Sequence, residues 1–275
     1  MPREKFTKKL REDLSVETSY IPNAQAIKII SDRNSKVAIL MIHGFTGSVA
    51  SISPWVKTMA AFGFNVCAPL LPGHGTTWKN LNQTRWQDWF NLVEEEFKTL
   101  RVSHQKVFIA GFSMGGTIAT RLAELYPDEV SGLLLLNPTI YDNHIRMIAS
   151  KLLAPIIPSI KSEGTDVAKP NALVTSQQRL SLRAANSLHK FRHIVRRDLP
   201  LVKTPLKVFL SLNDNVVPYS NGLLISNSVR STRNEVHFFD KSYHVVPQDF
   251  DNQELVNVSC EFISSLIPAR IRLFT

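Results

Sequence analysis

The hexapeptide Gly111-Phe112-Ser113-Met114-Gly115-Gly116 sets a hydroxyl between glycines. It directly follows the apolar run Val107-Phe108-Ile109-Ala110 and precedes Thr117-Ile118-Ala119-Thr120-Arg121-Leu122-Ala123. A strand that turns into a helix within so few residues needs glycine on both sides of the turn, because a side chain at 111 or 115 would strike the adjoining backbone. The serine between them is then held at a strained φ/ψ with its Oγ exposed. Such a hydroxyl can attack an acyl carbon once a base removes its proton.

The chain offers eight histidines as that base. His43 abuts a glycine turn, His74 lies in a Gly-rich loop, and His237 sits inside an alternating strand. His104, His144, His189 and His193 occupy polar loop or lid positions. His244 differs, because Lys241-Ser242-Tyr243-His244 follows the last strand and precedes the last helix, a loop that emerges on the same sheet edge as Ser113. A third group must hold the imidazole tautomer and stabilise the imidazolium that forms. Asp214, in Leu212-Asn213-Asp214-Asn215-Val216-Val217-Pro218 after the preceding strand, is placed to do so, and Asp142, after the strand that follows Ser113, is the alternative acid. The order Ser, Asp, His is the one associated with this type of turn. A tetrahedral intermediate also needs hydrogen-bond donors for its oxyanion, each worth roughly 3 to 4 kcal/mol. The Met114 N–H is one, and His43-Gly44-Phe45 puts the Phe45 N–H in position as the other.

These residues need a scaffold that brings loop ends together. Apolar runs at Lys36–Ile42, Asn65–Leu70, Val107–Ala110, Gly132–Leu136, Leu206–Leu212 and Glu235–Phe239 alternate with helical spacing at Ile52–Ala61, Arg85–Leu100, Leu223–Val229 and Leu255–Ile267. Alternation of this kind predicts an α/β fold, a mostly parallel central sheet with helices on both faces, whose chemistry lies beyond the carboxyl ends of the strands. From Pro138 to Thr204 helix-like segments follow one another with no strand between them. The expected organisation is therefore a core formed by 1–137 and 205–275, with a helical lid inserted at 138–204.

The motifs His43-Gly44-Phe45-Thr46-Gly47, Pro72-Gly73-His74-Gly75, Gly111-Phe112-Ser113-Met114-Gly115-Gly116, Asp214-Asn215-Val216-Val217-Pro218 and Ser242-Tyr243-His244-Val245 together resemble the α/β-hydrolase superfamily. Within it they are similar to small bacterial carboxylesterases and monoacylglycerol lipases with a compact lid, over about Val37 to Ile267. The resemblance implies Ser113 as nucleophile, His244 as base, Asp214 as its orienting acid, and Phe45 and Met114 as oxyanion donors, with no cofactor and no metal. The chain departs from the pattern after His244. Those esterases usually read Val-x-Thr-x-Asp, and this chain has Val245-Val246-Pro247-Gln248-Asp249, in which Pro247 stiffens the loop carrying the base.

In the lid, Ile145, Ile148, Leu152, Leu153, Ile156, Ile157 and Ile160 form an apolar surface. It either packs on the sheet edge or lines an acyl pocket above Ser113, with Phe45, Leu152, Leu153, Ile156 and Ile157 as substrate contacts. No inward-facing cationic clamp is evident, so the expected substrate is an uncharged small-molecule ester with a short to medium acyl chain. A monoacylglycerol, a thioester or a lactone uses the same triad, and a ligand-binding receptor on this scaffold is the non-enzymatic alternative.

Residues 138–207 carry 12 Lys/Arg against 4 Asp/Glu and leave the remainder of the chain at 20 against 19, so the net charge of +9 is a property of the lid. No nucleic-acid motif accompanies it, and nucleic acid is excluded as a partner. Between Ser176 and Leu199, Leu180, Ala184, Leu188, Phe191 and Val195 recur at helical spacing. Arg179, Arg183, Lys190 and Arg197 form a second stripe about a quarter turn away. That stripe is either a solvated cationic face or a weak, salt-sensitive contact with anionic membrane lipid. The polar and charged Met1–Ser19 has no apolar h-region, so a secretory signal is not expected there, and no apolar run reaches membrane-spanning length. A cytoplasmic protein with Cys67 and Cys260 as buried reduced thiols is expected, while the oligomeric state is left open by the sequence.

Overall fold

The structure is a computed structural model that describes residues 21–141, 157–162, 166–170, 172 and 176–268. Its elements in chain order begin with β1 (Ile27–Ile29), β2 (Val37–Ile42), α1 (Val49–Ala61), β3 (Asn65–Ala68), α2 (Trp78–Gln83), α3 (Trp86–Ser103), β4 (Lys106–Phe112), α4 (Met114–Leu125) and β5 (Gly132–Leu136). They continue with β6 (Ser159–Lys161), β7 (Arg179–Ser181), α5 (Leu182–Asp198), β8 (Leu206–Ser211), α6 (Ser220–Ser228), β9 (Asn234–Phe239) and α7 (Asn252–Leu266).

Seven strands form one sheet in the order β1-β3-β2-β4-β5-β8-β9. Every neighbouring pair is parallel except β1 with β3. The central strands β2 and β5 are buried along their whole length, as strands covered on both faces must be. Alternate residues feed two cores. Leu40, Ile42, Ile109 and Leu135 pack with α3, α4 and α5, whereas Ile39, Met41, Phe108 and Leu136 pack with α1 and α7. The registers Ile42↔Gly111, Phe112↔Leu136, Leu136↔Phe209 and Ser211↔Phe239 align the carboxyl ends of β2, β4, β5, β8 and β9. The loops carrying Phe45, Ser113, Asp214 and His244 therefore leave one edge of the sheet.

The segment read as strand-free contains two short strands. β6 and β7 pair antiparallel, Ser159 opposite Ser181 and Lys161 opposite Arg179. Three residues per strand are too few to display a period of two, and a side chain helps hold the pair: Arg179 donates from Nε to Ser159 Oγ at 2.8 Å and from its guanidinium to Ser159 O at 3.0 Å. The helical stripe consequently begins at Leu182, not Ser176. Arg179 and Leu180 lie on β7, while Ala184, Leu188, Phe191 and Val195 are buried on α5 as their spacing predicts. Phe191 stacks on Trp86 with ring centroids 4.6 Å apart, which fixes α5 against α3.

Both cysteines are free thiols. Cys67 is buried and Cys260 only half-buried. Burial pushes the Cys67 thiol up to about 12 and the Cys260 thiol up to about 11, in each case with a nearby glutamate adding to the effect. Neither is poised as a thiolate. Among the described residues no helix is long and apolar enough to cross a membrane.

Candidate active site

Ser113 caps α4 with φ 55° and ψ −117°. A serine at a helix N-cap ordinarily has extended backbone and accepts an N–H from the first turn on its Oγ. Here no capping bond forms, and the positive φ carries the side chain away from the helix end. Tertiary bonds hold this strained geometry: Ser113 N donates to Leu136 O at 2.9 Å, and Ser113 O accepts Gly116 N at 2.9 Å and Thr139 N at 3.3 Å. Thr46 and Asn137, which flank the same edge, also have positive φ, at 59° and 41°. Strain collected at one edge of a sheet marks a functional region.

The loop after β2 passes directly over Ser113. A Cβ added to Gly44 would lie 3.3 Å from the Ser113 Cβ and 3.2 Å from the Phe112 ring. His43 shapes this loop from beneath, its Nδ1 donating to Gly44 O at 2.9 Å and its Nε2 accepting the Leu71 N–H at 3.1 Å. Burial lowers its pKa to about 4, so the ring is a neutral strut. His74 is also fully buried, and burial holds it well below the ordinary histidine range with His43 adding to the effect. The Phe45 ring packs on His74 and Trp89. Among the described residues neither the Phe45 N–H nor the Met114 N–H has an acceptor. For Met114, at the first position of α4, this follows from helix geometry.

His244 and Asp214 meet from adjacent loops, His244 Nδ1 lying 2.6 Å from Asp214 Oδ2. The Asp214 side chain is almost completely enclosed, and its Oδ1 accepts the N–H groups of Val216 at 2.8 Å and Val217 at 2.7 Å. With the carboxyl fixed as an acceptor, the imidazole donates from Nδ1 and leaves Nε2 with its lone pair. Phe112, the neighbour of Ser113, lies against this imidazole at 4.8 Å between centroids. Ser113 Oγ and His244 are not hydrogen-bonded in this arrangement. Bonds between nucleophile and base are often long without substrate.

The remaining described histidines are engaged elsewhere. His237 contacts Glu254 at 2.8 Å, His104 lies 3.1 Å from the Asn65 amide, and His189 and His193 face one another at 3.0 Å. Asp142 and His144 lie outside the described residues, as do Leu152, Leu153 and Ile156, expected from the sequence as acyl-chain contacts, while Ile157 is described and partly exposed. Among the described residues no group of three or more His, Cys, Asp or Glu could hold a metal ion.

Two residues of the site carry no signal that sequence reading picked out. Asn137, directly after β5, donates from Nδ2 to His244 O at 2.9 Å and accepts Ser211 N on Oδ1 at 2.8 Å. Asp166, from the segment between β6 and β7, accepts the His244 N–H at 3.2 Å. Pro247 lies in a short 3-10 turn, Val246–Gln248, from which Gln248 Nε2 reaches Ala50 O at 2.8 Å. The loop that departs from the esterase pattern at Pro247 is thus pinned to α1 through Gln248.

Comparison with known proteins agrees with this architecture. Residues 33–251 match the family described as serine aminopeptidase, S33. A thermostable monoacylglycerol lipase of Bacillus sp. (strain H-257) is 31% identical over 84% of this chain and 92% of its own length. A carboxylesterase of Bacillus subtilis (strain 168) is 20% identical over 83% and 93%. A solved structure from work on LipS and LipT, two metagenome-derived lipolytic enzymes, superposes with a TM-score of 0.85 at 27% identity, covering 90% of this chain and 99% of that one. The monoacylglycerol lipase of Paleococcus ferrophilus shares the fold at 17% identity, with a TM-score of 0.73 over 88% and 98%. The chain therefore belongs to the serine aminopeptidase, S33, family of α/β-hydrolases and is a serine hydrolase of the lipase and esterase type.

Proposed function

We propose that the protein hydrolyses uncharged carboxylic esters of short to medium acyl chain through Ser113, His244 and Asp214. The observation that carries this reading is the enclosed His244 Nδ1 to Asp214 Oδ2 contact of 2.6 Å beside the strained Ser113 turn. In the first half-reaction the Ser113 hydroxyl proton passes to His244 Nε2 as Oγ bonds to the ester carbonyl carbon. The carbonyl oxygen becomes an oxyanion held by the Phe45 and Met114 N–H groups, which have no other acceptor among the described residues. Collapse of the intermediate breaks the bond to the alcohol, which leaves with the imidazolium proton. Water, deprotonated by the same imidazole, then releases the acid and restores Ser113.

Residues 138–204 form the lid of this reading over a core of 1–137 and 205–275, with Phe45, Leu152, Leu153, Ile156 and Ile157 against the acyl chain. The exposed cations of α5 rest weakly on anionic lipid. A monoacylglycerol is the second substrate reading, and the identity of 31% to a protein described as a thermostable monoacylglycerol lipase favours it.

Turnover of p-nitrophenyl and monoacylglycerol esters of graded chain length tests the reading. Activity that peaks at short to medium chains and falls about a million-fold in Ser113→Ala, with fluorophosphonate labelling lost in the same variant, is the expected result. Labelling or turnover that survives Ser113→Ala rejects the mechanism.

A further inference from the structure

We propose that Asp166, a residue of the segment between β6 and β7, is a positioning residue that sets the distance between the acid and base loops and so makes the catalytic pair depend on how that segment is docked. The proposal rests on the reading of Ser113, Asp214 and His244 as a triad.

His244 stands on the loop after β9 and Asp214 on the loop after β8. Their registry is maintained partly within the sheet, where Leu212 N donates to Phe239 O at 2.9 Å and Asn213 Nδ2 to Asp240 O at 2.7 Å. Asp166 adds a bridge from a third element. Its Oδ2 accepts two main-chain N–H groups, Asn215 at 3.0 Å and His244 at 3.2 Å, and its Oδ1 accepts Asn215 Nδ2 at 2.9 Å. Its own carbonyl accepts the Val245 N–H at 3.1 Å. One carboxylate therefore binds the residue after the acid and the base itself.

The same segment is fastened a second time. Asp249, buried, accepts Ala168 N at 2.8 Å and Lys169 N at 3.0 Å while also accepting Tyr243 N at 2.9 Å and Phe250 N at 2.9 Å. Of the three successive N–H groups at 243, 244 and 245, the latter two donate to Asp166 and the first to a carboxylate that also grips 168 and 169. On its other side the His244 carbonyl is held by Asn137. Both main-chain bonds named here for residue 244, to Asp166 and from Asn137, therefore come from outside the loops after β8 and β9. A displacement of about 1 Å in such a pair lowers turnover about a hundred-fold.

Three substitutions separate position from charge. Asp166→Ala removes both. Asp166→Glu keeps the charge but moves the acceptor outward by one methylene. Asp166→Asn loses the charge yet keeps an oxygen able to take both main-chain N–H groups, with the Asn215 amide turning to accept from the new NH2. The expected result is a fall in kcat of roughly 10- to 100-fold for Ala and a fall in the same direction for Glu. KM should stay within about threefold, and the rate of fluorophosphonate labelling at Ser113 should fall in parallel. Asn should stay within about threefold of wild type in all three measures. Thermal melts of each variant identify any that fails to fold, and Glu and Asn then decide the matter between them. Wild-type kcat in Ala or Glu, an equal fall in Asn and Glu, or a loss confined to KM overturns the proposal. If Ser113→Ala retains activity, the triad reading itself fails. If Ser113→Ala is inactive while Asp166→Ala and Asp166→Glu are unimpaired, only the bridge fails.

Discussion

Gly115 lies so close to the Ile42 carbonyl that a Cβ placed on it would overlap the oxygen of β2. The glycine is thus the point at which the first turn of α4 presses on the end of a neighbouring strand, and its missing side chain sets how near Met114 comes to the Phe45 loop. Gly115→Ala must push β2 and α4 apart, because all three atoms that would crowd the new methyl, Ile42 O, Ile42 C and His43 O, are main chain. Overpacking against backbone costs about 3 kcal/mol. The expected outcome is a lowered Tm together with a disproportionate loss of kcat, since the Phe45 and Met114 N–H groups proposed as oxyanion donors separate. A variant that melts lower yet keeps its turnover would show that the spacing of these N–H groups is not what the glycine sets.

Asp214→Asn tests the second member of the pair. The side chain keeps its shape and its bonds to the Val216 and Val217 N–H groups, but the group facing Nδ1 becomes a donor. That favours the imidazole tautomer in which Nε2 carries the proton and cannot act as base. A fall of about 10⁴ in kcat with an unchanged melting curve is expected. If Asp142→Asn produced that fall instead, the acid would lie after β5.

What could be read in advance follows from how local each constraint is. Gly111 and Gly115 are dictated by a turn of a few residues, and Asp214 and His244 by lying at the ends of consecutive strands, so their order along the chain carried the information. Asp166 is different. It stands in a short segment with no periodicity, and its use arises only because the fold brings its carboxylate against Asn215 and His244. Asn137 after β5 looks like any turn asparagine until its amide is seen to hold the His244 carbonyl. Arg179 shows the opposite error, for its distance from Arg183 fits a helix by coincidence while its guanidinium fastens β7 to β6.

The buried carboxyl of Glu124 makes stability depend on pH. Desolvation raises it to about 8, against the attraction of Arg121 at 2.8 Å. Between its unfolded value near 4.5 and this folded value the native protein holds a proton that the unfolded chain releases. Stability from this group is therefore present below about 4.5 and is lost as pH rises through about 8. Glu124→Gln removes the dependence. Urea unfolding at pH 5, 7 and 9 should show the variant gaining on wild type with each step, by on the order of 3–5 kcal/mol in all. A constant difference across the series would mean that the Arg121 ion pair keeps Glu124 charged throughout.

The last expectation concerns α5. Arg183, Lys190 and Arg197 are exposed at intervals of seven residues, which on a helix places them along one side. Arg179, read as the first member of this stripe, lies on β7 instead, so three cations remain. Arg197 already shares Asp198, whose carboxylate it contacts at 2.7 Å and 3.0 Å, so most of the attraction available to an anionic surface resides in Arg183 and Lys190. Each cation near such a surface contributes about 1 kcal/mol, enough for weak and reversible adsorption. Sedimentation with vesicles containing phosphatidylserine should show binding at low salt that fades near physiological ionic strength. Neutral phosphatidylcholine vesicles should show none. Arg183→Gln with Lys190→Gln should remove most of the binding, and Arg197→Gln alone much less, while turnover of a soluble short-chain ester stays unchanged in all of them. Wild-type protein that fails to sediment with anionic vesicles at low salt would reduce the stripe to a solvated face.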